Sequence, residues 1–173
     1  FIGNHSSVKM GLAIARELAT RGADVSLVIG PTQLPLNAEN QIKIKRVTTA
    51  QQMFDACVEE YEAADITVMA AAVADYTPET VANQKIKKNG DTLSVNLKKT
   101  TDILKHLGEQ KKKGQVLAGF ALETTNERQY ALEKLQKKNA DLIILNSLND
   151  AGAGFGHDTN KITIFDKSGK EFG

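Results

Sequence analysis

Hydrophobic residues occur along the chain as short continuous runs, separated by stretches in which they recur at helical spacing. The runs predict buried strands at 23–29, 66–72, 116–121 and 141–145, with shorter strands at 42–47 and 161–165. The stretches between them predict helices at 7–21, 102–112 and 126–138, and another from Thr48 or Thr49 to about 62. Strands that alternate with helices in this way are typical of an α/β sandwich with a mainly parallel sheet.

Capping residues mark the ends of these predicted helices. Ser6 or Ser7 is expected to cap the first helix, and Gly22 to end it. Thr100 or Thr101 is expected to cap the third.

A turn signal interrupts the alternation of strands and helices. Asn89-Gly90 is a preferred pair for a type I′ turn, so 85–88 and 92–97 are predicted to form a β-hairpin. The expected fold is a Rossmann-like three-layer sandwich with a mainly parallel sheet and a hairpin excursion near 85–97. In such sheets, ligands bind beyond the carboxyl ends of the strands. That rule selects the loops after Ile29, Ala72, Ala121 and Leu145.

Composition narrows the class of protein without identifying a site. The chain has 173 residues and a net charge of +1, which fits one domain over 1–173 and argues against a nucleic-acid partner. Its single cysteine, Cys57, excludes an internal disulfide and any metal site built from several cysteines. No apolar run approaches the ~20 residues that span a bilayer, and no signal peptide is recognisable, so we expect a cytoplasmic location and no membrane partner. Because no initiator Met opens the chain, we expect it to be a fragment.

Asn4-His5-Ser6-Ser7 directly precedes the first predicted helix. Free backbone N–H groups at a helix N-terminus, together with two hydroxyls, can bind an anion or a carbonyl group. The same residues are also typical of an ordinary N-cap, and this segment alone favours that simpler interpretation.

The strand at 66–72 leads into Val73-Ala74-Asp75, at the edge of the sheet where ligands bind. Small side chains there let a flat or phosphorylated ligand approach the backbone. Asp75 could accept a hydrogen bond from a ligand hydroxyl or amine, or hold a metal ion. An Asp that opens a turn is an equally good interpretation.

Lysines form two candidate sites for anions. Lys85 and Lys87 share one face of the predicted hairpin, which indicates either a protected edge strand or a site for a polyphosphate. Lys134 and Lys138 lie four residues apart on one helical face, where a solvated surface is the commoner outcome. Tyr130 and Lys134 match the Tyr-x-x-x-Lys of short-chain dehydrogenases, but no suitably placed Ser accompanies them and no Gly-x-Gly-x-x-Gly occurs.

Several segments, which together cover nearly the whole chain, point to one family. They are FIGNHSSVKMG at 1–11, Gly30-Pro31, AAVADY at 71–76, KIKK at 85–88, GFALE at 119–123 and KLQKKNAD at 134–141, leading to Asn146. In this order they resemble the phosphopantothenoylcysteine synthetase domain of coenzyme A biosynthesis, which in many bacteria follows a flavin-dependent decarboxylase. No single segment is specific, but the ordered set is.

The resemblance implies a ligase that joins 4′-phosphopantothenate to cysteine. In that reaction the phosphopantothenate carboxylate attacks the α-phosphorus of CTP and releases pyrophosphate. The amine of cysteine then displaces CMP from the acyl-cytidylate. Both substrates are anionic, so the site needs several cations and backbone donors. Mg²⁺ is expected with CTP, and no flavin is expected in this domain.

The resemblance also implies roles for individual residues. Asn4 is expected to bond the acyl carbonyl, beside substrate contacts from Ser6 and Ser7. Lys85 is expected to neutralise the triphosphate. Which residues of the site would bind a metal ion stays undetermined. The other implied nucleotide contacts are Met69, Ala70, Ala71, Asp75, Thr101, Asp102, Ile103, Leu104, Phe120, Lys134 and Lys138.

The chain departs from the family pattern in three places. Val8 stands where the family usually has Gly, and Thr100-Thr101-Asp102-Ile103 where it usually has Asn-Pro-Asp-Ile. The family's first strand, with its Gly-Pro-Thr loop, and a helix after Gly173 are expected to be missing. The implied partners are a second copy of the chain in a homodimer and a fused or separate flavin-dependent decarboxylase.

Two other functions stay open at this point. One is a Rossmann-type NAD(P)-dependent oxidoreductase that uses Tyr130 and Lys134. The other is a nucleotide-binding domain without turnover. The residues alone do not decide between CTP and ATP either.

Overall fold

The computed structural model describes residues 8–36, 41–82, 84–87, 91–123, 125–147 and 161–173. Its helices are α1 (Lys9–Thr20), α2 (Ala50–Tyr61), α3 (Ile103–Gln110) and α4 (Glu127–Lys137). Its strands are β1 (Val25–Ile29), β2 (Ile42–Arg46), β3 (Ile66–Met69), β4 (Tyr76–Pro78), β5 (Leu97–Lys99), β6 (Val116–Glu123), β7 (Leu142–Ser147), β8 (Ile162–Asp166) and β9 (Glu171–Phe172). None of the described helices has the length and apolar character needed to cross a membrane.

The described strands form three sheets. The central sheet has the order β3-β6-β7-β8-β9, with β3, β6 and β7 parallel and β8 and β9 antiparallel. β1 pairs with β2 in parallel, and β4 with β5 in an antiparallel ladder. The predicted α/β class is therefore confirmed, with a central sheet that is mixed. β9 was missed because it is short and depends on the turn in which Asp166 Oδ1 accepts from the backbone N–H groups of Ser168 and Lys170.

The ends of α1 agree only in part with the sequence prediction. Gly22 ends the helix as expected: at a φ of +91° its N–H donates to the Ala19 carbonyl, and the next N–H donates to Leu18. The residue in the N-cap position is Val8. The expected caps Ser6 and Ser7 lie outside the described residues.

The first residues of α2 and α3 show how side chains select a helix start. Thr49 begins α2 as predicted, in a reciprocal capping box with Gln52. The prediction of Thr100 or Thr101 for α3 is wrong, because Asp102 is the cap and its Oδ1 accepts from the Lys105 N–H at 3.0 Å. Thr100 is instead engaged by the β4–β5 ladder, where its N–H donates to the Asp75 carbonyl.

The excursion between β4 and β5 (79–96) is antiparallel only at its base. Among the described residues, the outermost backbone bond of its base runs from the Glu79 N–H to the Asn96 carbonyl at 2.9 Å. Residues 85–87 and 91–96 are not in strands, so the predicted hairpin does not extend over them, and the Asn89-Gly90 turn lies outside the described residues. Exposed apolar side chains such as Leu93 and Val81 find no core there, and an isolated pair of strands is marginally stable in water.

Two glycines allow α3 to pack closely on its neighbours. A Cβ on Gly119 of β6 would lie 2.5 Å from Cδ2 of Leu104. A Cβ on Gly108 would lie 1.8 Å from the carbonyl oxygen of Lys138, so α3 meets the end of α4 backbone to backbone. The core around this contact includes the fully buried Leu107, Leu117, Ile143 and Phe165. Close packing therefore fixes the positions of α3 and α4 relative to β6.

Candidate functional site

A cleft of about 630 Å³ opens at the carboxyl ends of β3 and β6, between the start of α3 and one face of α4. The loop that follows Ala72 contributes to it, as the rule for parallel sheets predicts, and β6 continues past Ala121 and contributes its last residue, Glu123. Residues after Ile29 and Leu145 are not among its described walls. The residues that line it are Met69, Ala71, Val73, Asp75, Thr100, Thr101, Asp102, Ile103, Leu104, Phe120, Glu123, Tyr130, Glu133, Lys134, Lys137 and Lys138.

The cleft brings together most of the residues that the sequence indicated as nucleotide contacts. Those present are Met69, Ala71, Asp75, Thr101, Asp102, Ile103, Leu104, Phe120, Lys134 and Lys138. Ala70 and Lys85 are not in its walls, and Lys85 is an exposed residue of the excursion. Asn4, Ser6 and Ser7 lie outside the described residues.

An ion pair connects the two helices that form the walls. The Lys138 ammonium, at the end of α4, donates to Oδ2 of Asp102 at 2.5 Å, while Oδ1 of Asp102 caps α3. Burial opposes ionisation of Asp102, but the bonds from Lys138 and from the Lys105 N–H, with the charge of Lys134, hold the pKa of Asp102 below its usual value. Asp102 is therefore ionised at neutral pH, and Lys138 is held between Gly108 at its backbone and Asp102 at its ammonium.

Among the three lysines in the described walls of the cleft, Lys134 is the one whose charge no ion pair neutralises. Burial lowers the pKa of Lys134 most strongly; the charge of Lys138 also lowers it, whereas Glu123, Asp102 and Asp75 raise it. Within the described ranges no carboxylate forms an ion pair with Lys134. A half-buried ammonium without a paired anion favours an anionic ligand.

Other walls of the cleft were missed by the sequence reasoning. On α4, Glu133 and Lys137 share the face of Lys134 and Lys138, and their helical spacing from Tyr130, which the sequence indicated only for an oxidoreductase, is a signal that could have found them. Lys137 is already paired with Glu133 at 2.9 Å. Glu123 ends β6 and could have been found by the rule that ligands bind at carboxyl ends.

Thr100 holds the loop that carries Asp75. Its hydroxyl donates to the Ala74 carbonyl at 2.7 Å, and its N–H donates to the Asp75 carbonyl at 2.9 Å. The loop after β3 is therefore fixed to Thr100, shortly before α3, and both Asp75 and Thr100 line the cleft.

The described residues contain no group of three or more His, Cys, Asp or Glu side chains placed to hold a metal ion. Asp75 and Asp102 line the cleft as carboxylates, but Asp102 is already bonded to Lys138 and to the α3 backbone. The described part of the cleft therefore does not fit a metal ion held by the protein alone.

Comparison with known proteins assigns the family. Residues 1–172 match the sequence profile of the DNA/pantothenate metabolism flavoprotein C-terminal domain, DFP. The chain belongs to this family. The DFP domain resembles in sequence the Bacillus subtilis (strain 168) protein named coenzyme A biosynthesis bifunctional protein CoaBC, with 46% identity over 98% of this chain and 41% of that protein. It is also 50% identical to a protein of an unknown prokaryotic organism named cysteine/cysteine sulfinic acid decarboxylase, over 97% of this chain and 46% of that protein.

Solved structures agree with this assignment. The C-terminal domain of CoaBC has a TM-score of 0.79 and 41% identity, over 98% of this chain and 74% of that chain. The DNA/pantothenate metabolism flavoprotein from Streptococcus pneumoniae has a TM-score of 0.83 at 23% identity, over 99% and 82%, which shows the same fold. The sequence-based assignment of family and fold is confirmed. The DFP domain spans less than half the length of the curated relatives named above.

The backbone at Val8 explains why the family usually has Gly at this position. At +60° Val8 lies in the left-handed region, which β-branched residues rarely adopt. The DFP domain therefore begins α1 from a strained residue, directly after the segment that contains Asn4.

Proposed function

We propose that this DFP domain is a ligase of coenzyme A biosynthesis that joins 4′-phosphopantothenate to cysteine, using CTP. The observation that supports this most is the gathering of the predicted nucleotide contacts in one cleft at the carboxyl ends of β3 and β6. The relatives named coenzyme A biosynthesis bifunctional protein support the same pathway.

The proposed reaction has two steps. A carboxylate oxygen of phosphopantothenate attacks the α-phosphorus of CTP, the bond to the bridging oxygen breaks, and pyrophosphate leaves. The amine of cysteine then attacks the acyl carbonyl of the acyl-cytidylate, loses a proton, and expels CMP. Negative charge accumulates at the α-phosphate in the first step and on the carbonyl oxygen in the second, so fixed cations and donors at these two places lower the barriers.

Lys134 is the cation proposed to bind phosphate directly. A phosphate would supply the paired charge that its half-buried ammonium lacks among the described residues, and such a charge-assisted bond is worth roughly 1.5–3 kcal/mol. The Lys138 ammonium donates one hydrogen bond to Asp102. Its other two N–H groups are proposed to donate to the nucleotide. Asp75 is proposed to accept a hydrogen bond from a hydroxyl or amine of the nucleotide.

The described carboxylates do not fit a metal ion held by the protein, so we assign no step to one. Mg²⁺ is proposed to arrive with the triphosphate. The choice of CTP over ATP is part of the proposal and is tested below.

Two residues carry proposed roles that depend on segments beyond the described cleft. Asn4 is proposed to bond the acyl carbonyl, with Ser6 and Ser7 beside it. Lys85 is proposed to neutralise the triphosphate, which requires the excursion to approach the nucleotide, because Lys85 is not in the described walls.

Pyrophosphate release tests the proposed activity. With CTP, Mg²⁺, phosphopantothenate and cysteine we expect release that depends on every component, and much less release when ATP replaces CTP at the same concentration. Equal turnover with ATP would contradict the choice of CTP. Absence of release in a folded chain, and also in a longer protein if the gene encodes one, would contradict the ligase.

A quenched single-turnover experiment with labelled phosphopantothenate tests the proposed roles. Lys85→Gln should prevent formation of the acyl-cytidylate. Asn4→Asp keeps the shape but removes the amide donor and places a negative charge beside the developing oxyanion, so the acyl-cytidylate should accumulate. The reverse pattern, or full activity in either variant, would remove these residues from their roles.

An oxidoreductase is the second candidate, because Tyr130 and Lys134 both line the cleft. Protection by NADPH and not by CTP in a thermal-shift assay would favour it. Nucleotide binding without turnover would instead favour a non-catalytic domain.

The proposed partners follow from the same assignment. We propose a homodimer, supported by exposed apolar side chains on the excursion, of which Val81 is 84% and Leu93 68% exposed. Light scattering of the purified chain tests this, and a monomer at micromolar concentration would contradict it. We also propose that the chain works with a flavin-dependent decarboxylase, fused or separate, which the sequence of the gene and its neighbours tests. The proposed cytoplasmic location is tested by cell fractionation.

A further inference from the structure

Thr100 makes two hydrogen bonds to the segment that carries Asp75. The backbone bond, from the Thr100 N–H to the Asp75 carbonyl, adds one rung to the β4–β5 ladder beyond the pair Tyr76 and Lys99. The side-chain bond, from the Thr100 hydroxyl to the Ala74 carbonyl at 2.7 Å, is not one that strand pairing supplies. It depends on the hydroxyl alone.

The two bonds together hold a bend in the chain. Successive carbonyl groups of an extended strand point to opposite sides. The carbonyls of Ala74 and Asp75 nevertheless both meet Thr100, so the backbone bends at Asp75, directly before β4 begins. Because both sides of this bend are fixed, the direction in which the Asp75 side chain leaves the backbone is fixed as well.

We propose that Thr100 is a positioning residue for the nucleotide site, whose hydroxyl sets the place at which the Asp75 carboxylate meets its ligand. Both residues line the cleft, and Asp75 is exposed there. This inference rests on the proposed function, in which Asp75 accepts a hydrogen bond from CTP.

Two substitutions separate the hydroxyl from the rest of Thr100. Thr100→Val replaces the hydroxyl by a methyl group of similar size and leaves the backbone bond to Asp75 intact. Thr100→Ser keeps the hydroxyl. Thr77→Val is the matched control, because Thr77 belongs to the same ladder, opposite Lys98, and does not line the cleft.

The first readout is the affinity of the full chain for CTP, measured by titration calorimetry. Thr100→Val should raise the Kd roughly three- to tenfold, as expected for one neutral hydrogen bond, while Thr100→Ser and Thr77→Val should change it less than about twofold. In an Asp75→Ala background, which removes the acceptor, Thr100→Val should add no further loss, since Thr100 acts through Asp75. Equal losses in the two backgrounds would overturn the proposal and leave Thr100 a structural role only.

The second readout needs no ligand. Hydrogen–deuterium exchange of peptides that cover 71–77 should be faster in Thr100→Val than in the parent chain, and unchanged in Thr100→Ser. Unchanged exchange in Thr100→Val would overturn the proposed bend. If the parent chain binds no CTP although the exchange results are as expected, the proposed function fails and the bend stands.

Discussion

Gly108 makes the contact on which the geometry of the cleft depends, and Gly108→Ala tests it. A Cβ at this position would lie 1.8 Å from the Lys138 carbonyl oxygen and 2.9 Å from its carbonyl carbon. Both atoms belong to backbone, so no side-chain rotation relieves the overlap. The end of α4 must move away from α3 by more than about 1 Å before this contact reaches an ordinary separation.

The expected cost can be added from the contacts at this junction. Forcing an extra methyl group into a packed site costs about 1–3 kcal/mol. The movement also disturbs the bond from Nδ2 of Asn139 to the Gly108 carbonyl at 2.8 Å and that from Lys111 to the Asn139 carbonyl at 2.6 Å, together worth about 2 kcal/mol. The higher helix propensity of Ala returns about 1 kcal/mol. We therefore expect Gly108→Ala to lower the free energy of unfolding by about 2–4 kcal/mol.

Urea denaturation of Gly108→Ala, Gly119→Ala and Gly11→Ala makes the comparison direct. At Gly119 the nearest atoms are methyl groups of the flexible Leu104, so the expected loss is only about 1–2 kcal/mol. At Gly11, in α1, the nearest atom is 3.9 Å away, and the same substitution should be neutral or stabilise by up to about 1 kcal/mol. If Gly108→Ala were as stable as Gly11→Ala, with the same dependence on urea, the reasoning about the α3–α4 contact would be refuted.

Three further substitutions test the charges. Lys134→Ala should weaken CTP binding tenfold or more in calorimetry, because it removes a bond worth roughly 1.5–3 kcal/mol. The control Lys112→Ala, at an exposed lysine, should have little effect. Equally small effects of the two substitutions would mean that the α4 face is a solvated surface and does not bind the nucleotide. Asp102→Asn keeps the cap of α3 but loses the charge. Because the pKa of Asp102 is lowered in the folded chain, the loss of stability should be present above about pH 5 and should vanish as the pH falls below about 4; it should stay under ~1 kcal/mol because the side chain is half exposed. A loss that is the same at pH 3 and pH 7 would contradict this. Asp141→Asn leaves the ammonium of Lys111, whose side chain is only 8% exposed, without its paired charge. The free energy of unfolding, measured by urea denaturation, should fall by about 2–4 kcal/mol. If adding Lys111→Met restored none of this loss, the explanation would be wrong.

The regular elements could be predicted because their signals are local. In the central sheet, β3, β6 and β7 overlap the predicted apolar runs and β8 the shorter strand predicted at 161–165, while each helix lies within a predicted helical stretch. The cap of α3 could not be chosen among Thr100, Thr101 and Asp102, because all three are good caps and the β4–β5 ladder that engages Thr100 has no local signal. Pairing between distant segments has no signal in either segment alone.

The candidate site could be predicted where position in the sheet determines it. The loop with Asp75 and the end of β6 are at the carboxyl ends of parallel strands, and any parallel sheet exposes such residues to a ligand. The helical spacing of Lys134 and Lys138 placed them on one face, but periodicity does not say whether that face meets the solvent or a cleft. The position of Lys85 could not be predicted either, because the reach of the excursion depends on where its base is fixed.

The base of the excursion also determines how freely this part of the chain can change. The β4–β5 ladder and the bond from Glu79 to Asn96 bring the two ends of the excursion together independently of what lies between them. Doubling the length of a flexible loop whose ends are held costs only about 0.6 kcal/mol. Insertions, deletions or a grafted peptide within 80–95 should therefore leave the cleft folded even where they displace Lys85, so that folding of the cleft and the proposed role of Lys85 can be tested separately.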